Sequence, residues 1–242
     1  MSEEQASSRS PKNENKMEVK INVPTVIQMY SWDCGLACVS MILRSMQLDT
    51  RNVYTQNLED LECGERIWTI DLAYLVHMYN IRHTFCTITL GVDKTYNSKA
   101  FYRVRFETDE NRVNQMFEQA SKRGIQVEKR SVTMEDLVSH LRGNNLVICL
   151  VDWNSLECIW CDNMRKNCIK CFARLGCCND FQGHYVVLCG YDLKHQRLYY
   201  KNPNFEEDMC CTSMTSFDRA RMQHGTDEDT LFIFNHPGTG EG

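Results

Sequence analysis

The chain has 242 residues, 43% of them hydrophobic and 24% charged, which is ordinary for a globular domain with a sizeable core. Its net charge of −5 gives no reason to expect nucleic acid as a partner, and no apolar run approaches the roughly 18 residues that span a bilayer. The N-terminus lacks the apolar segment of a secretory signal. We therefore expect a cytoplasmic protein, with the nucleus as a second candidate compartment, and not a secreted one. Its fourteen cysteines are then thiols or metal ligands rather than disulfides.

Composition divides the chain into one domain and two tails. Residues 1–18 are rich in Ser, Glu, Lys and Asn and have little to bury, which predicts a disordered tail. Residues 19–236 are expected to form a single domain with a Cys-rich insertion at 154–180. Residues 237–242 are expected to be a loose C-terminal tail.

Hydrophobic periodicity predicts alternating helices and strands. After a short β-like run at 21–27, helices are predicted at 34–45, 51–61, 67–79, around 113–120, 133–143 and around 217–222. Strands are predicted at 81–90, 125–132, 146–151, 185–189, 197–201 and 230–234. The uninterrupted apolar run of 146–151 indicates a central strand. The pattern predicts an α+β domain in which the helix from Cys34 packs on an antiparallel sheet.

That first helix begins with a nucleophile. Backbone N–H groups without intrahelical partners favour a thiolate at Cys34. Gly35 allows a substrate or another backbone segment to come close. Gln28, six residues earlier, is placed to donate a hydrogen bond where an oxyanion would form. Buried cysteines are more often packing residues, so a catalytic role for Cys34 needs a base elsewhere in the chain.

Two later residues supply candidates for that base and its partner. His184 opens a predicted strand, and Asn202 ends the strand predicted to pair back against it. The pairing brings both residues to neighbouring positions, where His184 is a candidate general base and Asn202 a candidate orienting residue. The order Gln28, Cys34, His184, Asn202 is much more specific than any one of its members.

The Cys-rich insertion contains two Cys-x-x-Cys pairs six residues apart. Paired thiolates at such spacing can build a tetrahedral structural zinc site, although the spacer is shorter than in common zinc ribbons. The alternative is a flexible, redox-sensitive loop that binds no metal. The candidate zinc ligands are Cys158, Cys161, Cys168 and Cys171.

The order of these residues resembles the papain-like superfamily, and within it the C39-type peptidases. The likeness rests on Gln28 and Cys34-Gly35 at the head of the helix, Gly183-His184 opening a strand, and Asn202-Pro203 after the hairpin. It implies a papain-like fold with the nucleophile and the base facing each other across a cleft. C39-type enzymes usually have Asp at the position of Asn202, whereas papain-type enzymes have Asn.

A second resemblance extends over residues 19–236. The segments 32–38, 67–75, 89–94, 112–115 and 225–229 are similar to the guanylyl cyclase domain-containing protein 1 family. The family name implies magnesium-dependent conversion of GTP to cyclic GMP, which needs carboxylates to hold the metal. The acidic run Asp227, Glu228, Asp229 is read here as a solvated turn.

Three functions follow as hypotheses. The leading one is a papain-like thiol hydrolase that acts on a peptide, isopeptide or amide bond of a peptide or protein and needs no cofactor for its thiol chemistry. The second is the magnesium-dependent cyclase, and the third is a binding protein that keeps a peptidase-like fold without catalysis.

Overall fold

Short helices alternate with strands along the part of the chain that the structure describes. The computed structural model describes residues 16–93, 106–160, 181–206 and 209–235. The strands are β1 (Glu18–Lys20), β2 (His83–Thr87), β3 (Val127–Lys129), β4 (Leu146–Asp152), β5 (Gly183–Asp192), β6 (Arg197–Lys201), β7 (Cys210–Ser213) and β8 (Thr230–Ile233). The helices are α1 (Cys34–Ser45), α2 (Gln56–Leu61), α3 (Thr69–Met78), α4 (Phe106–Ala120), α5 (Met134–Arg142) and α6 (Met214–Arg221), with a 3₁₀ turn at Ser121–Arg123.

The strands form one sheet in the order β3-β2-β8-β4-β5-β6-β7. Each neighbouring pair is antiparallel except β2 and β3, which are parallel. The long strand β5 pairs with β4 through its first half and with β1 at its end, while β6 pairs on the other side. A Cβ on Gly190 would lie 2.2 Å from the Val19 carbonyl oxygen, so only glycine permits this approach of β1.

The core lies between the sheet and the helices that cover it. Every residue of β4 is buried, as expected for a central strand. Residues 34–43 of α1 are also all buried, and α1 packs against β5 and α3. The entry of α1 depends on Gly35, whose added Cβ would lie 3.1 Å from side-chain carbons of Leu72 and Tyr185. The predicted α+β class and the central N-terminal helix are therefore confirmed.

Two regular segments differ from the sequence-based expectation. The run 21–27 is not a strand; it is tied to the sheet by single hydrogen bonds, from Ile21 N to Cys189 O and from Gln28 N to Pro203 O. Pro24 removes a donor from this run, which explains the irregular path. The edge strand β7 was not predicted, because its short sequence of two cysteines, Thr and Ser shows no alternation.

The predicted tails lie mostly outside the described residues. β1 begins at Glu18, the last residue of the predicted N-terminal tail, and pairs there with Asp192.

Among the helices of the described ranges, none is long and apolar enough to cross a bilayer.

A buried ion pair connects α3 to α4. The carboxylate of Asp71, fully buried, accepts hydrogen bonds from Arg112 at 2.5 Å and 3.1 Å and from the Trp68 backbone N–H at 2.8 Å. Burial raises the pKa of Asp71, and the guanidinium of Arg112 opposes that rise. On the same helix α4, Asp109 lies 3.2 Å from Arg66, so this pair also positions residues near the head of α3.

Replacement of Arg112 by Met is expected to lower the free energy of unfolding by about 3–5 kcal/mol, because it leaves the Asp71 charge buried without its partner. Urea denaturation measures the loss. The additional substitution Asp71→Asn should recover part of it. Arg51→Met removes an exposed ion pair with Asp49 and should leave the stability close to that of the wild type. Equal losses in the two single Arg variants would contradict the assignment.

Candidate active site

Cys34 lies at the first residue of α1, where the helix meets β5. Its side chain is 7% exposed, and the backbone of Tyr185 hydrogen-bonds to the thiol. The residue before it, Asp33, is fully buried and accepts the backbone N–H groups of Met29 and Tyr30, both at 3.0 Å. These bonds fold the approach to the helix into a tight turn. The thiol is thereby placed against the residue that follows His184.

His184 and Asn202 are in direct contact. His184 is the second residue of β5, and Asn202 follows β6, whose last residue Lys201 pairs with Val187. The imidazole Nε2 lies 3.0 Å from Asn202 Oδ1, and both side chains are buried. The predicted juxtaposition of the two residues by β pairing is therefore present in the structure.

A second hydrogen bond determines the tautomer of His184. The backbone N–H of Asn204 donates to Asn202 Oδ1 at 3.0 Å, which fixes the orientation of that amide, since an N–H can only donate. Oδ1 is then an acceptor, so Nε2 of His184 must carry the proton. In the neutral ring, Nδ1 is consequently left as the proton acceptor.

An aromatic residue that the sequence reading did not identify covers this pair. The ring of Trp153 packs edge-on against the His184 ring at a centroid distance of 4.6 Å and also contacts Phe205 at 5.8 Å. Trp153 directly follows β4, and its N–H donates to Gln182 O at 2.8 Å. In the sequence, the only feature that could have indicated a role for Trp153 was its position just after the central strand. Its position shields the His184–Asn202 hydrogen bond from water.

Gln28 lies at the same end of the sheet, but its side-chain amide donates to a backbone carbonyl and not to the Cys34 thiol. Its backbone N–H donates to Pro203 O at 2.9 Å, next to Asn202. Its side-chain Nε2 donates to Tyr30 O at 2.6 Å. Oε1 is buried and has no hydrogen-bond partner within the described ranges. The predicted oxyanion role of Gln28 stays a prediction.

Burial keeps both reactive groups neutral at physiological pH. It raises the pKa of Cys34 to about 11, and the backbone groups of Tyr185 and Gly35 only partly oppose this. It lowers the pKa of His184 to about 4, and the hydrogen bond that His184 Nε2–H donates to Asn202 Oδ1 only partly opposes this. The sequence led us to expect a thiolate favoured by the helix terminus. The structure differs because desolvation at this depth outweighs the helix N–H groups.

A cavity of about 460 Å³ opens beside Cys34. Its lining includes Cys34, Gly183 and Tyr185 of β5, and the acidic residues Asp227 and Asp229. Trp32 and Trp68 also line it. The thiol is therefore accessible to a small ligand in spite of its low exposure.

The acidic run at 227–229 is not the solvated turn that we expected. Asp229 is only 9% exposed, and Asp227 and Glu228 are half-buried. The turn comes directly before β8, and Leu150 N of β4 donates to Asp229 O at 3.1 Å. Pairing of β8 with β4 pulls the turn against the core, which a charge-rich sequence does not reveal.

The predicted zinc ligands lie mainly outside the described residues. Cys158 is buried, while Cys161, Cys168 and Cys171 fall outside the ranges that the structure covers. Within those ranges, no group of three or more His, Cys, Asp or Glu side chains is arranged to hold a metal ion. The zinc site stays a prediction.

Comparison with known proteins identifies both the fold and the family. A crystal structure from Bacillus anthracis described as that of a C39-like peptidase has a TM-score of 0.50 and 12% identity, and covers 90% of this chain and 97% of that chain. This likeness concerns the fold and confirms the predicted C39-peptidase-like class. Guanylyl cyclase 1 from Arabidopsis thaliana is 34% identical over 214 residues, which make up 88% of this chain and 76% of the relative. Residues 23–233 match the family described as guanylylate cyclase. The chain therefore belongs to the guanylylate cyclase family.

Proposed function

We propose that the protein is a thiol hydrolase that cleaves a peptide, isopeptide or amide bond with Cys34 as nucleophile. The observation that supports it most directly is the buried hydrogen bond of 3.0 Å between His184 Nε2 and Asn202 Oδ1, beside a thiol that contacts the next residue of β5. This bond leaves Nδ1 of His184 free of a proton and ready to accept one.

The first half of the reaction acylates Cys34. His184 Nδ1 takes the thiol proton as the sulfur attacks the carbonyl carbon, and the resulting imidazolium keeps its Nε2–H on Asn202. The Cys34 backbone N–H at the start of α1 is a candidate donor to the oxyanion, with the Gln28 amide as the second. The C–N bond then breaks, the imidazolium protonates the leaving amine, and a thioester remains on Cys34.

The second half returns the enzyme to its starting state. Water loses a proton to His184 as it attacks the thioester, the C–S bond breaks, and the imidazolium returns that proton to the sulfur. The first half begins from a neutral thiol and a neutral imidazole, and the second from a neutral thioester and a neutral imidazole. A site that is neutral at rest avoids the cost of holding two separated charges in a buried environment.

The pH dependence of Cys34 alkylation tests the proton transfer. With pKa values of about 4 for His184 and about 11 for Cys34, neither group changes protonation between pH 5 and 9. Alkylation by iodoacetamide assisted by His184 should therefore be independent of pH in this range. In His184→Ala the rate should follow the thiolate fraction and rise roughly tenfold per pH unit below the thiol pKa.

Mass spectrometry of the labelled peptides measures these rates. Cys38, one helical turn further and fully buried, provides the internal control and should remain unmodified. A wild-type rate that climbs tenfold per unit, as in the variant, would show that His184 does not accept the thiol proton. Reaction of Cys34 no faster than Cys38 would instead favour a non-catalytic binding protein.

Replacement of Asn202 by Asp should move the acid limit of this reactivity. A carboxylate beside Nε2 stabilises the imidazolium, so the pKa of His184 should rise from about 4 and the loss of reactivity in acid should occur at a higher pH. Alkylation rates between pH 3 and 8 report the shift. Asn204→Asp adds the same charge at an exposed position two residues away and should leave the limit unchanged. Equal shifts in both variants would contradict a direct role of residue 202.

The family description and the name of the Arabidopsis relative favour a second candidate, conversion of GTP to cyclic GMP. The cavity offers little for a triphosphate. Four acidic residues line it with a single basic one, Arg66, which is paired with Asp109 at 3.2 Å. Asp227 and Asp229 could hold magnesium only together with oxygen ligands from the phosphates or water, because the described residues contain no group of three or more His, Cys, Asp or Glu side chains arranged to hold a metal ion.

We therefore expect purified protein with GTP and magnesium to form no more cyclic GMP than a blank without protein. Chromatographic quantification of cyclic GMP checks this. Formation that disappears in both Asp227→Asn and Asp229→Asn, while Cys34→Ala retains it, would establish the cyclase and overturn the hydrolase.

A further inference from the structure

The cavity beside Cys34 contains a buried carboxyl group that the thiol mechanism does not use. Asp229 lines the cavity and is only 9% exposed. Its Oδ1 has no hydrogen-bond partner in the described part of the chain. The hydroxyls of Thr69 and Thr87 approach the group and lower its pKa in part. An unsatisfied buried acceptor is costly, so one that persists in a cavity wall points to a ligand that satisfies it.

A second carboxyl group stands next to it. Asp227 lines the same cavity, and its Oδ1 accepts the Thr89 hydroxyl at 2.7 Å while its carbonyl accepts Ile88 N at 3.0 Å. Burial, together with the charge of Asp227, raises the pKa of Asp229 to about 8. Two acidic groups whose charges raise each other's cost of ionisation favour either a proton on one of them or a cation beside them.

The surroundings favour a cation over any anion. The acidic residues of the lining are Glu65, Asp109, Asp227 and Asp229, and the basic one among the described residues is Arg66. The indole side chains of Trp32 and Trp68 line the same space, and indole faces attract cations. The lining is therefore negative and partly aromatic.

The hydrogen-bond acceptors in the cavity favour a primary ammonium over a metal ion or a guanidinium. Among the described residues, no group of three or more His, Cys, Asp or Glu side chains is arranged to hold a metal ion by protein ligands alone. A guanidinium prefers both oxygens of one carboxylate, but two threonine hydroxyls already approach Asp229. A primary ammonium has three divergent donors and can bond to Asp229 Oδ1 while it lies near Asp227.

We propose that this cavity binds a protonated primary amine of the substrate through Asp229 and Asp227. The inference rests on the proposed thiol hydrolase, since Cys34 lines the same cavity. The substrate class is then an acyl compound that carries an ammonium group close to the scissile carbonyl. Two sources supply this chemistry, the N-terminal amine of a peptide and the side chain of lysine.

The test compares two isosteric thiol reagents, aminopropyl iodoacetamide and its neutral butyl analogue, with rates normalised to their reaction with glutathione. At pH 7 the ammonium of the cationic reagent favours the ionised form of Asp229 over the neutral form that burial favours. This reagent should therefore label Cys34 of the wild type roughly tenfold or more faster than the neutral one, as a single close charge contact allows. Asp229→Asn should bring the two rates close to parity, and Asp227→Asn should reduce the ratio. Asp60→Asn, which removes an exposed acid outside the cavity, should keep the wild-type ratio.

Protection experiments distinguish the two sources of the amine. Alanine N-methylamide presents an N-terminal amine, and Nα-acetyl-lysine N-methylamide presents a side-chain amine. The one that slows labelling by the butyl reagent in the wild type, but not in Asp229→Asn, identifies the source.

The result that overturns the inference differs from the one that overturns the hydrolase. Equal labelling by both reagents, or a preference that survives in both Asp229→Asn and Asp227→Asn, removes the amine site and leaves the hydrolase standing. If Cys34 reacts with neither reagent, the hydrolase proposal is overturned. The amine site is then tested separately, by the change in melting temperature when either amine is added. A rise with either amine in the wild type but not in Asp229→Asn supports the site, and no rise in the wild type overturns it.

Discussion

The contact between the first turn of α1 and the start of β5 is the constraint on which the site depends. A Cβ on Gly35 would lie 3.1 Å from both Leu72 and Tyr185, so a larger residue would push the helix away from the strand. This approach brings the Cys34 thiol to the backbone of Tyr185. It also means that the helix terminus, the strand and α3 meet at one point. The candidate nucleophile is consequently positioned by the core and not by a surface loop.

Deep burial gives the site its electrostatic character. The same desolvation that raises the pKa of Cys34 lowers that of His184, so the charged forms of both are disfavoured. Trp153 adds an apolar cover over the imidazole. Burial acts in the same way on the carboxyl group of Asp229, which lines the same cavity and is also held towards its neutral form. In a cavity of this kind a charge on the substrate has a large effect, because little water is present to screen it.

The fold resembles that of a C39-like peptidase, whereas the family is described as guanylylate cyclase. The likeness to a C39-like peptidase, at 12% identity, establishes the architecture and leaves activity open. The 34% identity to the Arabidopsis relative establishes kinship within the family. The chain presents a thiol, an imidazole and an amide at one end of β5, together with a cavity lined by four acidic residues and one basic residue.

The sequence by itself determined the regular elements and much of the site. Helical and alternating hydrophobic patterns are local properties, so α1, the central strand β4 and the β5–β6 hairpin were predictable, and with the hairpin came the contact of His184 with Asn202. The ends of several elements shifted by a few residues, and the edge strand β7 had no local signal.

Only the tertiary structure decided what depends on distant pairing and on burial. Trp153 reaches His184 because β4 lies beside β5, and Asp229 is buried because β8 pairs with β4. The protonation state of Cys34 also depends on burial in the tertiary structure. A helix terminus in the sequence suggests a stabilised thiolate, but the depth at which that terminus is buried is set by the whole packed core, and there desolvation prevails.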